Sequence, residues 1–236
     1  MAEKKLEGAG LRGQVAGKTS LSTVGKAGKG LTYRGYPIEV LSEKAKFEEV
    51  AYLLMYGSLP NKDEYENYSS KLISMRSLPN PILEVLERIP ASAHPMDVMR
   101  TGCSMLGNIE PEGEFSNQQE SADRILATMA SIIVYWYKYS HEGKKVNTSS
   151  DYETIGGHFL SLLHGDEPSE DHIRCLDTSL ILYAEHGFNA STFTARTCAS
   201  TLSDIHSCIT GAIGTLRGPL HGGANEAAME LIEQFS

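Results

Sequence analysis

The sequence predicts an all-α domain preceded by a short β-like lead. Three observations predict it. Apolar residues recur at helical spacing almost without interruption from Pro37 onward. The periodic stretches are bracketed by helix-start and helix-stop residues. The lead over residues 1–36 is of another kind: "LRGQVAGKTSLSTVGKAGKGLTYRGY" scatters Val, Leu and Tyr among Gly, Ser and Thr, the pattern of short strands joined by glycine turns.

Taken in order, "FEEVAYLLMYG" sets Phe47, Val50, Ala51 and Leu54 on one helical face and ends at Gly57, a residue suited to the left-handed position after a helix. "NKDEYENYSSKLISMRSL" opens with Asn61 and carries Glu64 three residues later, a reciprocal capping pattern. "ILATMASIIVYWYKYS", Ile125–Ser140, is the richest apolar stretch and reads as a buried helix. "SEDHIRCLDTSLILYAEHG" is expected to start at Ser169, after Pro168, and to run to Gly187. After Asn189, "STFTARTCASTLSDIHSCITGAIGTLRG" reads as one long helical run whose Ala, Ser, Thr and Gly predict close packing against other helices or a partner subunit. "ANEAAMELIEQFS" reads as a fresh amphipathic helix that is cut short. The expected organisation is a lead over 1–36, a large helical domain over 37–222, and the start of a small domain over 223–236.

Composition limits the function. The chain has 236 residues and a formal charge of −9, which disfavours a nucleic-acid or anionic-membrane surface. "MAEKKLEGAGLRGQ" has no apolar signal-peptide core, and no apolar run is long enough to span a bilayer. Cys103, Cys175, Cys198 and Cys208 form no CxxC pair and fall in helical segments, so packed free thiols in a reducing cytoplasm are expected.

Several chemistries can be set aside. "GQVAGKTS" resembles a phosphate loop, but Gly13 and Gly17 enclose three residues where the motif needs four. His158 and His164 lack metal-ligand spacing, no HExxH or Cys/His cluster exists, and no metal is expected. His94, His141, His172 and His206 read as surface or helix-face residues. Two histidines remain. His186, in "LILYAEHGFNAST", is placed at a helix C-terminus, where the dipole favours a proton and donation to an anion. His221, in "RGPLHGGANEA", stands between a proline-leucine step and two glycines. Gly222 and Gly223 predict either positive φ or a close approach of a ligand to the backbone. With Asn189 and Asn225 nearby, the two histidines point to one polar pocket.

At these residues the chain resembles the citrate synthase family. "AEHGFNAST" and "GAIGTLRGPLHGGANEA" carry the resemblance, which extends through "LTYRGYPIEVL", "FEEVAYLLMYGSLP" and "HPMDVMRTGCSMLG". "HPMDVMRTG", "YWYKYSH" and "IGGHFLSLLHG" look most like the family's bacterial 2-methylcitrate-forming branch. The resemblance implies an all-α homodimer with its active site between a large and a small domain. It implies condensation of an acyl-CoA with oxaloacetate, then thioester hydrolysis, with no metal and no cofactor beyond the acyl-CoA substrate. His221 would stabilise the enol of the thioester, and His186, Asn189 and Arg76 would bind substrate. The acyl group expected is propionyl; the alternative is acetyl, as in citrate synthase, and a non-enzymatic helical scaffold is the remaining reading. The sequence departs from the family by ending before a "GHR" histidine, a catalytic aspartate, the later arginines and the CoA-contacting segment, so the chain by itself is expected to be inactive.

Overall fold

In the computed structural model, residues 17–24, 30–223, 229 and 233 are described. The lead folds as a three-stranded antiparallel meander of two-residue strands, β1 (Ser22–Thr23), β2 (Thr32–Tyr33) and β3 (Tyr36–Pro37). Tyr33 pairs with Ser22 on one side and Tyr36 on the other. Arg34 and Gly35, between β2 and β3, take φ of 49° and 94°. Two successive left-handed residues make the tight hairpin whose twist matches the strands, and the "RG" pair supplies them.

Ten helices follow among the described residues: α1 (Ile38–Lys44), α2 (Phe47–Tyr56), α3 (Lys62–Ser74), α4 (Asn80–Leu86), α5 (Pro95–Ile109), α6 (Gln118–Glu142), α7 (Ile155–His164), α8 (Glu170–Tyr183), α9 (Ala190–Ala199) and α10 (Ile205–Leu216). The predicted caps form. Gly57 ends α2 at φ 102°, and Asn61 and Glu64 exchange hydrogen bonds of 3.0 and 2.8 Å at the start of α3. Ser169 caps α8 by accepting from His172 N.

The 25-residue α6 is the spine. Ala127 faces a cluster formed by Tyr33, Leu41, Val50, Leu53 and Leu72. Ile125, Ile132, Tyr135 and Trp136 face a second cluster with Leu86, Val98 and Leu106. The apolar stretch Ile125–Ser140 is therefore consumed by the core. No described helix is long and apolar enough to cross a membrane.

Three expectations need correction. The run after Asn189 is two helices, because Asp204 accepts from Ser207 N at 2.9 Å and starts α10 afresh, while Leu202 turns the chain at φ 61°. The expected close packing against another helix is met between α9 and α10, where the Thr215 and Thr194 hydroxyls bond at 2.9 Å, although no residue of α9 is buried in this chain. Helix α8 stops at Tyr183 rather than at Gly187: the Tyr33 hydroxyl donates to Ile181 O at 2.9 Å and accepts from Glu185 N at 3.2 Å, so a side chain from the meander takes the place of the next helical turn. The four cysteines are free, but only Cys103 and Cys208 are buried; Cys175 is exposed. Gly13, Asn225 and the segment from Ala224 lie outside the described residues, apart from single positions.

Candidate active site

Three chain segments meet at one cleft of about 780 Å³. The N-terminus of α5 contributes His94, Pro95 and Met96. The turn between α8 and α9 contributes His186 and Asn189, and the first turn of α9 adds Ser191 and Thr192. The end of α10 contributes Leu216, Arg217, His221, Gly222 and Gly223. His186 and Asn189, from one turn, thus share a cavity with His221, from beyond the end of α10.

Asn189 is the N-cap of α9: its Oδ1 accepts from Thr192 N at 2.8 Å. The same oxygen accepts from the Ser191 hydroxyl at 2.6 Å, and Ser191 Oγ stands 3.0 Å from His221 Nε2. A capping asparagine, a serine and the imidazole therefore form one chain of hydrogen bonds. His186 is exposed and sits in the turn beyond the end of α8, three residues past its last helical residue.

The glycines beside His221 have a different purpose from the one expected. Neither takes positive φ. A Cβ on Gly222 would come within 2.3 Å of Leu216 O, and Gly222 N donates to that carbonyl at 3.0 Å. The close approach is to the chain's own backbone. It closes the turn after α10, together with His221 N donating to Gly218 O at 3.0 Å, and so fixes the imidazole's place in the cleft.

Arg76 does not line this cleft. It is fully buried, and its guanidinium donates to the backbone carbonyls of Ser150, Tyr152 and Glu153 while its own carbonyl accepts from Ser131 Oγ at 2.8 Å. Its bonds hold the loop before α7 against α6. His158, beside it, is bracketed by Ser131 Oγ at 2.9 Å and Ser150 Oγ at 2.7 Å; burial and the neighbouring Arg76 push its pKa down to about 3. It is a neutral structural histidine.

Two cleft residues were not singled out from the sequence. His94 is the N-cap of α5, with Nδ1 accepting from Met96 N at 3.1 Å; a histidine just ahead of Pro95 at a helix start was the available signal. Arg217 caps the end of α10, with Nε 3.6 Å from Asp97 Oδ2, and Asp97 is also paired with Arg100 at 3.1 Å. Among the described residues lining the cleft there is a guanidinium and three imidazoles but no carboxylate. In a chain of net charge −9 this is a pocket suited to an anion. Among the described residues, no group of three His, Cys, Asp or Glu side chains is placed to hold a metal ion.

A helical domain with an anion-suited cleft at a junction of helix ends defines a class of ligand-binding scaffold. Comparison with known proteins makes it specific: residues 10–236 match the family model "Citrate synthase, C-terminal domain". The chain belongs to the citrate synthase family. It is 67% identical to the 2-methylcitrate synthase of Shewanella oneidensis over 98% of this chain and 62% of that protein. Citrate synthase from Thermotoga maritima superposes with a TM-score of 0.82 at 36% identity, over 99% of this chain and 61% of that one. The citrate synthase of Thermoplasma acidophilum, solved as a ternary complex with carboxymethyl coenzyme A and oxaloacetate, superposes with a TM-score of 0.86 at 26% identity, over 94% and 59% of the two chains. The chain thus spans about three fifths of the length of these relatives.

Proposed function

We propose that this chain is the oxaloacetate-binding and enol-stabilising part of a 2-methylcitrate synthase, which condenses propionyl-CoA with oxaloacetate and water to give 2-methylcitrate and CoA. The observation that carries the reading is the meeting of His186, Asn189 and His221 in one carboxylate-free cleft, in a chain 67% identical to the Shewanella oneidensis 2-methylcitrate synthase.

The chemistry asks for two things that the cleft supplies. Oxaloacetate is a dianion and needs donors; the exposed imidazole of His186, with Arg217 nearby, gives them. The carbon beside a thioester is a weak acid, and a base removes its proton only if the oxygen that gains charge meets a fixed donor. His221, whose Nε2 stands 3.0 Å from Ser191 Oγ, lies in the same cleft to meet that oxygen. The enol carbon then attacks the ketone of oxaloacetate, and water cleaves the thioester of the adduct. The base and the CoA-binding groups belong, in this reading, to the small domain that would close over 37–222 and exclude water.

The same reading makes the protein a cytoplasmic homodimer that uses no metal and no cofactor besides its acyl-CoA substrate. Helix α9 favours the dimer: it is built of small residues, and none of them is buried in the single chain.

The test is product identification. The full-length gene product, given propionyl-CoA and oxaloacetate, should release free CoA and form a tricarboxylic acid with the mass of 2-methylcitrate. Release of CoA without any condensation product would refute the reading.

A further inference from the structure

His186 is exposed and borne on a turn, yet a residue that binds a ligand tightly must be held in place before the ligand arrives. Most of the contacts that hold its chain neighbours come from the N-terminal lead. Arg196 of α9 adds a cation–π contact with Phe188 at 5.0 Å.

On one side, the Tyr33 hydroxyl accepts from Glu185 N at 3.2 Å and donates to Ile181 O at 2.9 Å, bonding the first residues of the turn to the last carbonyls of α8. Tyr33 is fully buried in the core cluster, so this hydroxyl is fixed. On the other side, the Glu185 carboxylate accepts from Gly187 N and from Ser22 Oγ, the latter at 3.3 Å. Gly187 takes φ of 95°, which lets the chain double back within that carboxylate's reach. Beyond it, Gly17 lies against the Phe188 ring, where a Cβ would stand 3.1 Å from Cζ. Residues 185, 187 and 188 are thus all held from the meander side, while the His186 side chain is left facing the cleft.

We infer that Tyr33 is a positioning residue for substrate binding: through Glu185 it sets the turn that presents His186 to oxaloacetate. The inference rests on the assignment of His186 to oxaloacetate in the proposed function. It gives the meander a role in the site, although none of its described residues lines the cleft.

The test uses the full-length gene product and oxaloacetate itself. Tyr33→Phe keeps the ring and removes the hydroxyl's hydrogen bonds to Ile181, Leu182 and Glu185. It should raise the Kd and KM for oxaloacetate roughly three- to tenfold, the worth of about one hydrogen bond, and leave the KM for the acyl-CoA unchanged. In a His186→Ala background it should have no further effect on oxaloacetate. Tyr68→Phe is the control: Tyr68 is another buried tyrosine, its hydroxyl on Asp123 and its ring outside the cleft, and its loss should lower thermal stability without moving oxaloacetate affinity. If Tyr33→Phe does not fold, Glu185→Ala removes the carboxylate side of the same arrangement and should weaken oxaloacetate in the same way. The positioning role is overturned if His186→Ala weakens oxaloacetate while the meander variant lowers only thermal stability, as Tyr68→Phe does. If His186→Ala itself leaves oxaloacetate binding untouched, the assignment of His186 falls, and the positioning role falls with it.

Discussion

Ser191 Oγ lies 3.0 Å from His221 Nε2 while its hydroxyl is also 2.6 Å from Asn189 Oδ1. A serine hydroxyl carries one proton and serves one of these acceptors at a time. When it points to Asn189, the imidazole must donate from Nε2 and its Nδ1 is a lone pair. Rotating the hydroxyl to His221 breaks its bond to Asn189 and leaves the imidazole proton on Nδ1, which becomes the donor that a developing enolate requires. The tautomer of His221 is therefore set by a hydroxyl that belongs to the cap of the neighbouring helix.

This division of roles predicts a split in the kinetics of the full-length gene product. His221→Ala should reduce turnover on the order of a hundred- to a thousandfold, the cost of one donor to a developing oxyanion, with little change in oxaloacetate affinity. His186→Ala should act mainly on oxaloacetate affinity. Ser191→Ala should lower turnover by roughly two- to tenfold, the value of a neutral hydrogen bond. Steady-state kinetics and oxaloacetate calorimetry on the three variants check this; equal turnover losses for both histidines with unchanged affinity would contradict it.

Arg76→Met should unfold easily and bind normally. It strips the donors from the carbonyls of Ser150, Tyr152 and Glu153, and a loss of roughly 3 kcal/mol is expected for buried charge-assisted bonds. Denaturant unfolding should show that loss, and calorimetry at a temperature where the variant is folded should give the wild-type oxaloacetate affinity. Weakened binding in the folded variant would return Arg76 to the site.

Much of this was legible in the sequence, for reasons that are local. Gly57, Asn61 with Glu64, and Ser169 announce helix ends because capping uses side chains within three or four residues. His186, Asn189 and His221 were legible because each sits at a break between helices, where a polar residue has no core to serve. What was hidden depends on distant contacts. The early end of α8 is caused by Tyr33, over a hundred residues away in sequence, and no local pattern encodes it. Arg76, expected to bind substrate, is instead buried under the loop at 150–153, and no local pattern foretells that loop's course. The break at Leu202 was the avoidable miss: Asp204 followed by Ser207 is a capping signal inside an otherwise helical run.

Two buried acids make stability depend on pH. Glu48 is fully buried, with Oε1 accepting from Ile155 N at 2.6 Å and Oε2 lacking a partner. Burial, with Asp177 nearby, pushes its pKa up to about 7, and burial pushes Asp177 up to about 6. Both folded values lie above the ordinary range near 4, so the fold favours the protonated acids. That contribution is complete below about pH 4 and is lost as pH rises through 6 and 7. Glu48→Gln keeps an acceptor for Ile155 N and cannot ionise, so it should gain stability relative to the parent between pH 6 and 8. Chemical denaturation across that range checks it; a parallel pH profile for parent and variant would contradict it.

Association should run through the face of α9 and the turn into α10. Leu202 is 86% exposed in a single chain and sits at the tip of that turn with φ of 61°, while α6 is occupied by the core. Sedimentation of the full-length gene product at micromolar concentration should give a dimer, and Leu202→Glu should weaken it. A stable monomer for the parent would rule out the α9 face as a contact between copies.

The acyl group is decided by the ratio of kcat/KM for propionyl-CoA to that for acetyl-CoA, each with saturating oxaloacetate. A pocket that uses one additional methylene can discriminate by roughly 10- to 200-fold. A preference of that size for propionyl-CoA is expected, with 2-methylcitrate as the product. A preference for acetyl-CoA would contradict it and make the protein a plain citrate synthase.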